Sequence, residues 1–331
     1  MRRILSGMIV ALLVAATAPV TLAYLKLGTK QGTNLITLRW NSMPIRYFVT
    51  NRDVPNVTAP QLRDAAGRAF ATWAATPNVA ISSQFVGFTG ANPSSGDGAT
   101  VLGFSNRPDL DRVLGSTSFI VDTVTGEVLE SDIFFNSTFA WSAASAGEAD
   151  RHDIESIALH EIGHLLGLGH SMLGETVSEG TGRRVLGAEA VMFPIAFSPG
   201  TLNRALRADD VAGISDIYGT DPFRKSTGSI TGRITKNGAG VLGAHIIAFN
   251  PATGVMVGGF SLSPDGTFVI AGLEPGPQLI RVEPLDDGDV GSFLDPTLNI
   301  DADFRVAFYP KLVTVPRGGT SRSVEIAVVA K

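Results

Sequence analysis

The chain has 331 residues, enough at roughly 100–200 residues per domain for one large domain or two medium ones. Apolar residues make up 44% and charged residues only 17%, which excludes a long disordered chain, and a net charge of −5 gives no electrostatic reason to bind nucleic acid. There is no cysteine, so disulfides, thiolate metal ligands, iron–sulfur clusters and a cysteine nucleophile are excluded, and any metal must be held by carboxylates and the 5 histidines.

The N-terminus reads as an export signal. Arg2 and Arg3 precede an apolar run over residues 4–20, and Ala23 is a small residue where cleavage is expected, so residues 1–23 are assigned to a signal peptide. The run is about as short as a spanning helix can be and contains Gly7 and Pro19, and no later segment is apolar enough to cross a bilayer. The mature chain is therefore expected to be secreted, extracellular or periplasmic, without a membrane span, and residues 24–37 form a short N-terminal segment.

Residues 45–49 alternate as a half-buried strand does, and residues 59–75 carry Leu62, Ala65, Ala66, Ala69, Phe70 and Trp73 at helical spacing. Strand character returns over 79–88, followed by a polar loop over 90–98. Residues 118–122 and 129–135 flank Thr125-Gly126 as a hairpin. A helix capped by Asp153 runs to about Leu166, and a last one spans 208–218, stopped by Gly219 and Pro222. Asp209 and Asp210 at its start are explained by the helix dipole alone. Beyond a linker at 221–227 the composition shifts to short strands between Gly, Pro and Asp turns, the signature of an all-β sandwich over 228–331.

Three of the histidines lie in the run His160-Glu161-Ile162-Gly163-His164-Leu165-Leu166-Gly167-Leu168-Gly169-His170. On a helix His160 and His164 stand at i and i+4, so both imidazoles project from one face toward a single ion. A continued helix would turn His170 about 120° away from that face, so the chain must break between them, and Gly167 allows positive φ at low cost. Three neutral imidazoles leave one position of a tetrahedral Zn²⁺ open for water, whose pKa the metal lowers toward ~7. Glu161, beside the first ligand, can take that water's proton and deliver it to a leaving amine. An amphipathic helix carrying incidental surface histidines would have to explain two in register, a carboxylate beside one and a break aimed at a third. Outside this run, His152 reads as a solvated residue near the helix start and His245 as a structural or surface residue.

This extended motif resembles that of the metzincin metalloproteases. Ser171 after the third histidine, the run Ala190-Val191-Met192-Phe193-Pro194, which resembles a Met-turn with Met192 beneath the metal, and the closing segment 206–219 point to the matrixin branch, peptidase family M10 type. Astacin-like and serralysin-like enzymes usually carry a tyrosine ligand where Pro194 stands. The resemblance covers about 38–220 and implies an α/β catalytic domain, a twisted, mostly parallel sheet plus helices, with an antiparallel edge strand over the active-site helix. It implies a secreted zinc endopeptidase whose protein or peptide substrates bind extended along that edge by strand addition. The upper rim is then expected at Leu114, Gly115 and Ser116, within an edge over 113–119, and the lower wall around Met192 to Ile195, Pro194 included.

The sequence also departs from the family pattern. Only His152 is available for the second, structural zinc of animal matrixins, the calcium loops are not recognisable, so calcium stays possible but unassigned, and the thiol latency switch is missing. The segment 171–190 is longer than usual and is expected to reshape the primed side. Farther on, the stretches at 228–233 and 243–246, the turn at 265–268 and the run at 272–276 resemble transthyretin-like or carboxypeptidase-regulatory-like β-sandwich modules, which are structural or adhesive accessories. The competing readings are a catalytically idle zinc-binding adhesin that works through this module, and a small-substrate metallohydrolase. A monomer is expected.

Overall fold

A computed structural model describes residues 26–31, 34–94, 96–179, 182–285 and 299–331. The export signal assigned to 1–23 lies outside the described residues. The short N-terminal segment contains a hairpin of β1 (Gly28–Gln31) and β2 (Asn34–Thr37). Then come β3 (Ile45–Thr50), α1 (Ala59–Ala74), β4 (Ser83–Thr89), β5 (Thr100–Ser105), β6 (Gly115–Val121) and β7 (Val128–Asn136). They build one five-stranded sheet in the order β4-β3-β5-β7-β6, parallel throughout except for β6, which runs antiparallel to β7 at the edge.

Strand β4 begins at Ser83 rather than 79, because Val79 and Ala80 instead bridge to Gly219 and Tyr218 at the end of the last long helix. Strand β5 escapes the alternation rule: Thr100 to Phe104 are all buried, as expected of a central strand covered on both faces. Helix α1 starts at the capping box of Thr58 and Gln61 and buries the stripe Leu62, Ala65, Ala66, Ala69, Phe70 and Trp73.

Two short strands, β8 (Trp141–Ser142) and β9 (His152–Asp153), pair just before α2 (Ile154–Leu165). Asp153 caps α2 by accepting from the Ser156 N–H at 2.9 Å, and Arg204 grips the same carboxylate at 2.5 Å, tying the later loop to the helix start. Helices α1 and α2 pack against each other and the sheet, with the Trp73 Nε1–H donating to the Leu159 carbonyl at 2.9 Å. The long segment at 171–190 is a hairpin of β10 (Gly174–Glu179) and β11 (Gly182–Ala188). Helix α3 (Ala208–Tyr218) matches its expected bounds, whereas the expected linker is a short helix, α4 (Asp221–Ser226).

The described residues beyond it carry strands as their regular elements: β12 (Gly228–Lys236), β13 (Ala239–Gly240), β14 (His245–Phe249), β15 (Met256–Phe260), β16 (Thr267–Leu273), β17 (Gly276–Glu283), β18 (Ala307–Phe308), β19 (Val313–Val315) and β20 (Val324–Val328). Strand β12 lies between β16 and a parallel β20, while β14, β15 and β17 with β18 and β19 form a second sheet. The apolar core does not stop at the composition shift. One buried cluster joins Met192, Ile214 and Ile217 to Ile230, Ile270 and Leu273. Among the described residues no helix is long and apolar enough to cross a membrane.

Candidate metal centre and active site

Helix α2 carries His160, Glu161 and His164, and it ends where the motif needs it to. The Leu168 N–H donates to the Gly163 carbonyl at 3.0 Å and the Gly167 N–H to the His164 carbonyl at 2.6 Å, the paired bonds of a Schellman C-cap. Gly167 takes φ +100°, and a Cβ there would lie 2.3 Å from the Leu38 carbonyl oxygen, so both conformation and space exclude a side chain. The turn brings His170 back, and one nitrogen from each of His160, His164 and His170 lies within 4.8 Å of the others.

Backbone carbonyls set the tautomers of two of these rings. His160 Nδ1 is 2.8 Å from the Val191 oxygen and His164 Nδ1 is 2.8 Å from the Leu168 oxygen; a carbonyl only accepts, so each Nδ1 carries the proton and each Nε2 a lone pair. The Nε2 atoms of His160 and His170 each stand 3.1 Å from that of His164. Burial lowers the pKa of His160, and burial with the two neighbouring imidazoles lowers that of His164 further, so protonation is an unfavourable way to relieve facing lone pairs. A tetrahedral ion with nitrogens at 2.0–2.1 Å needs a nitrogen–nitrogen separation of about 3.3 Å. The donor set therefore fits zinc.

Glu161 lies beside this cluster, 5% exposed. The Thr117 hydroxyl is 2.7 Å from its Oε2 and 3.0 Å from its carbonyl oxygen, and burial, opposed by that hydroxyl, pushes the carboxyl up to about 7. Gly115 makes room for it: a Cβ there would meet Glu161 Oε1 at 2.9 Å. Strand alternation puts Gly115 and Thr117 on the face toward α2 and Ser116 on the other. Leu114 packs partly buried against the core, and its carbonyl accepts from the Asn136 N–H at 2.8 Å. Of the three expected rim residues, then, Gly115 touches Glu161, and the neighbouring Thr117 was missed.

Met192 packs against α2 at Gly163. A Cβ on Gly163 would come within 2.3 Å of Met192 Sδ and 2.8 Å of Trp73 Cζ2, so the glycine between the two helical histidines is what lets methionine and tryptophan approach. Asp210 holds this turn in place: its carboxylate accepts from the N–H groups of Val191 at 2.8 Å, Met192 at 3.2 Å and Arg207 at 2.8 Å. The Val191 carbonyl is the one that fixes His160. The dipole account of Asp209 and Asp210 is therefore insufficient; both are 2% exposed, Asp210 bonded to the Met192 turn and Asp209 to Gly258 of β15. Two adjacent acids at the helix start, ahead of the apolar stretch Val211 to Ile214, were the available signal. Pro194, half-buried just past the turn, takes no part in these bonds.

His152 is not simply solvated. It is half-buried, its ring edge-on to Phe139 at 5.8 Å, and burial lowers its pKa. With Arg183, Arg184, Phe197 and Pro199 it lines an open groove of about 320 Å³ between the β10–β11 hairpin and the loop after the Met192 turn. His245 is fully buried and bonded through Nδ1 to Glu283 at 2.9 Å.

A parallel sheet with one antiparallel edge over a histidine-bearing helix, closed by a methionine turn, is the arrangement of a zinc metallopeptidase. The model of the matrixin family, peptidase M10, matches residues 39–219, more than half of the chain, and the chain belongs to that family. Metalloendoproteinase 4-MMP of Arabidopsis thaliana is 28% identical over 198 residues, covering 56% of this chain and 49% of that protein. Karilysin of Tannerella forsythia is 24% identical over 185 residues, 55% of this chain and 33% of that protein. Matrix metalloproteinase-16 of Homo sapiens is 28% identical over 185 residues, 55% of this chain and 27% of that protein. The chain thus spans about half, or less, of the length of these relatives.

Proposed function

We propose that the protein is a secreted zinc-dependent endopeptidase acting on extended protein substrates. The observation that carries this reading is the convergence of one ring nitrogen from each of His160, His164 and His170 beside a buried carboxylate, under the sheet's antiparallel edge. His160, His164 and His170 would hold the ion, which when bound polarises a carbonyl and makes water acidic enough to react near neutral pH. Val191 and Leu168 keep the first two rings oriented through Nδ1. Glu161 takes a proton from the attacking water at its carboxylate and passes it to the nitrogen of the departing amine. The Thr117 hydroxyl steadies one carboxylate oxygen, leaving the other for that transfer.

Among the described residues β6 pairs within the sheet only with β7, so its outer edge is the surface on which a substrate strand would lie, along Leu114, Gly115 and Ser116, with Met192 to Ile195 opposite. We read residues 38–220 as the catalytic domain and 228–331 as a β-sandwich accessory. A buried, hydroxyl-bonded carboxylate beside the ligands is unneeded in an idle zinc-binding adhesin, and an open edge strand does not suit a small-molecule hydrolase. The test is casein cleavage by wild type and Glu161→Ala, with and without a zinc chelator. Wild type should cleave, chelation should abolish cleavage, and Glu161→Ala should lose about 10²–10⁴-fold while retaining zinc. No cleavage by zinc-loaded wild type overturns the assignment; equal cleavage by both forms overturns the role of Glu161.

A further inference from the structure

The two carboxylates that open α3 face different halves of the molecule. Asp210 faces the Met192 turn, whereas Asp209 accepts the Gly258 N–H of β15 at 2.8 Å. Asp209 also receives the hydroxyl of Ser171, the residue directly after His170. Ser171 is held from two more sides: its N–H donates to the Met192 carbonyl at 2.9 Å and its Oγ accepts from the Leu173 N–H at 3.2 Å.

The second sheet closes over this segment. Leu173 clusters with Ile247, and Met172 and Phe193 with Phe260 and Leu285, all buried. A Cβ on Gly258 would sit 2.8 Å from His245 Nε2 and 3.2 Å from Leu173 Cγ, so only glycine brings the β15 backbone near enough to reach Asp209. A separable accessory would present a polar, hydrated surface here. Instead the contact is apolar and pivots on a carboxylate with one donor from each side.

We propose that the β14–β15 part of the C-terminal sheet is a built-in positioning element for His170, and that Asp209 is the positioning residue that transmits it through Ser171. The proposal rests on reading the three histidines as zinc ligands. The physical reason is coupling: a buried carboxylate deprived of the Gly258 N–H is poorly solvated. Relaxing it releases Ser171 and, one bond away, His170. The docked sheet and the third ligand are then two ends of one hydrogen-bonded unit.

The test compares full-length wild type, Asp209→Asn, Ser171→Ala and a distant core control, Ile326→Val, by zinc affinity in competition with a chromophoric chelator and by amide hydrogen exchange. Asp209→Asn should bind zinc about 10–100-fold more weakly, the usual cost of losing an outer hydrogen-bond partner of a metal site. Exchange at Ser171, Leu173 and Gly258 should quicken together. Ser171→Ala should weaken zinc binding while leaving Gly258 protected, and Ile326→Val should change neither. If Asp209→Asn and Ser171→Ala bind zinc like wild type, Asp209 is merely structural and the inference is overturned, whatever happens to the melting temperature. If wild type itself binds no zinc, the reading of the histidine site fails and this inference with it.

Discussion

Replacing Gly163 by alanine puts a single methyl group where the structure has no space. The new Cβ would stand 2.3 Å from Met192 Sδ, 2.8 Å from Trp73 Cζ2 and 3.2 Å from Met192 Cε, against about 3.5–4.0 Å for an unstrained contact. Neither neighbour yields easily. Trp73 is fully buried and hydrogen-bonded to Leu159 at 2.9 Å, while the Met192 backbone is held by Asp210 at 3.2 Å and Ser171 at 2.9 Å. Alanine gains about 1 kcal/mol over glycine in a helix, and overpacking costs about 1–3 kcal/mol, so the net loss should lie between about 0 and 2 kcal/mol, up to several degrees in Tm.

The metal site should suffer more than the fold, because Gly163 lies between His160 and His164 and a shifted turn changes the 3.1 Å spacing of their Nε2 atoms. Thermal unfolding and zinc competition on Gly163→Ala, Met192→Ala and the double variant separate the two effects. Zinc affinity should fall at least about tenfold in Gly163→Ala, and the double variant should recover part of the loss, with a coupling energy of about 1–3 kcal/mol. A Gly163→Ala protein that melts and binds zinc like wild type, or a strictly additive double variant, would refute the steric reasoning.

Two further expectations concern groups away from the histidines. Asp132 is buried and its carboxyl is raised by that burial from 3.8 to about 7, so the folded chain keeps a proton that the unfolded chain releases and stability falls as pH climbs through that window. Asp132→Asn can still accept the Val101 N–H, at 2.7 Å in the native chain, and its Tm at pH 8 should exceed that of wild type while the two converge at low pH; parallel Tm–pH curves would count against the burial argument. Asn136 Nδ2 lies 2.9 Å from the carbonyls of Arg107 and Leu110 and 3.2 Å from that of Val113, gathering the loop that feeds β6. Asn136→Ala should cost about 1–3 kcal/mol by denaturant unfolding and raise KM more than it lowers kcat, and an unchanged KM would separate the loop from substrate binding.

Much of the site is local in sequence, and that part was legible. The stripe from Leu62 to Trp73, the Asp153 cap and the break at Gly167 obey rules that act within a turn or two of chain. Long-range placements were harder. Strand β5 is buried on both faces and so lacks the alternation that marks a half-buried strand, and the α4 segment is too short for periodicity to declare it a helix.

The sequence by itself determined that three imidazoles and a carboxylate share one helix face and its C-terminal turn, because helical period and glycine's freedom at positive φ leave few alternatives. What bonds to them was decided only by tertiary structure. The Thr117 hydroxyl comes from 44 positions away, and the Gly258 N–H reaches Asp209 across 49. An aspartate at a helix start satisfies the same local pattern whether it faces water or a neighbouring sheet. Packing alone makes Asp209 and Asp210 the joints behind His170 and His160, since desolvating a carboxylate is tolerable only where the fold delivers backbone donors to it.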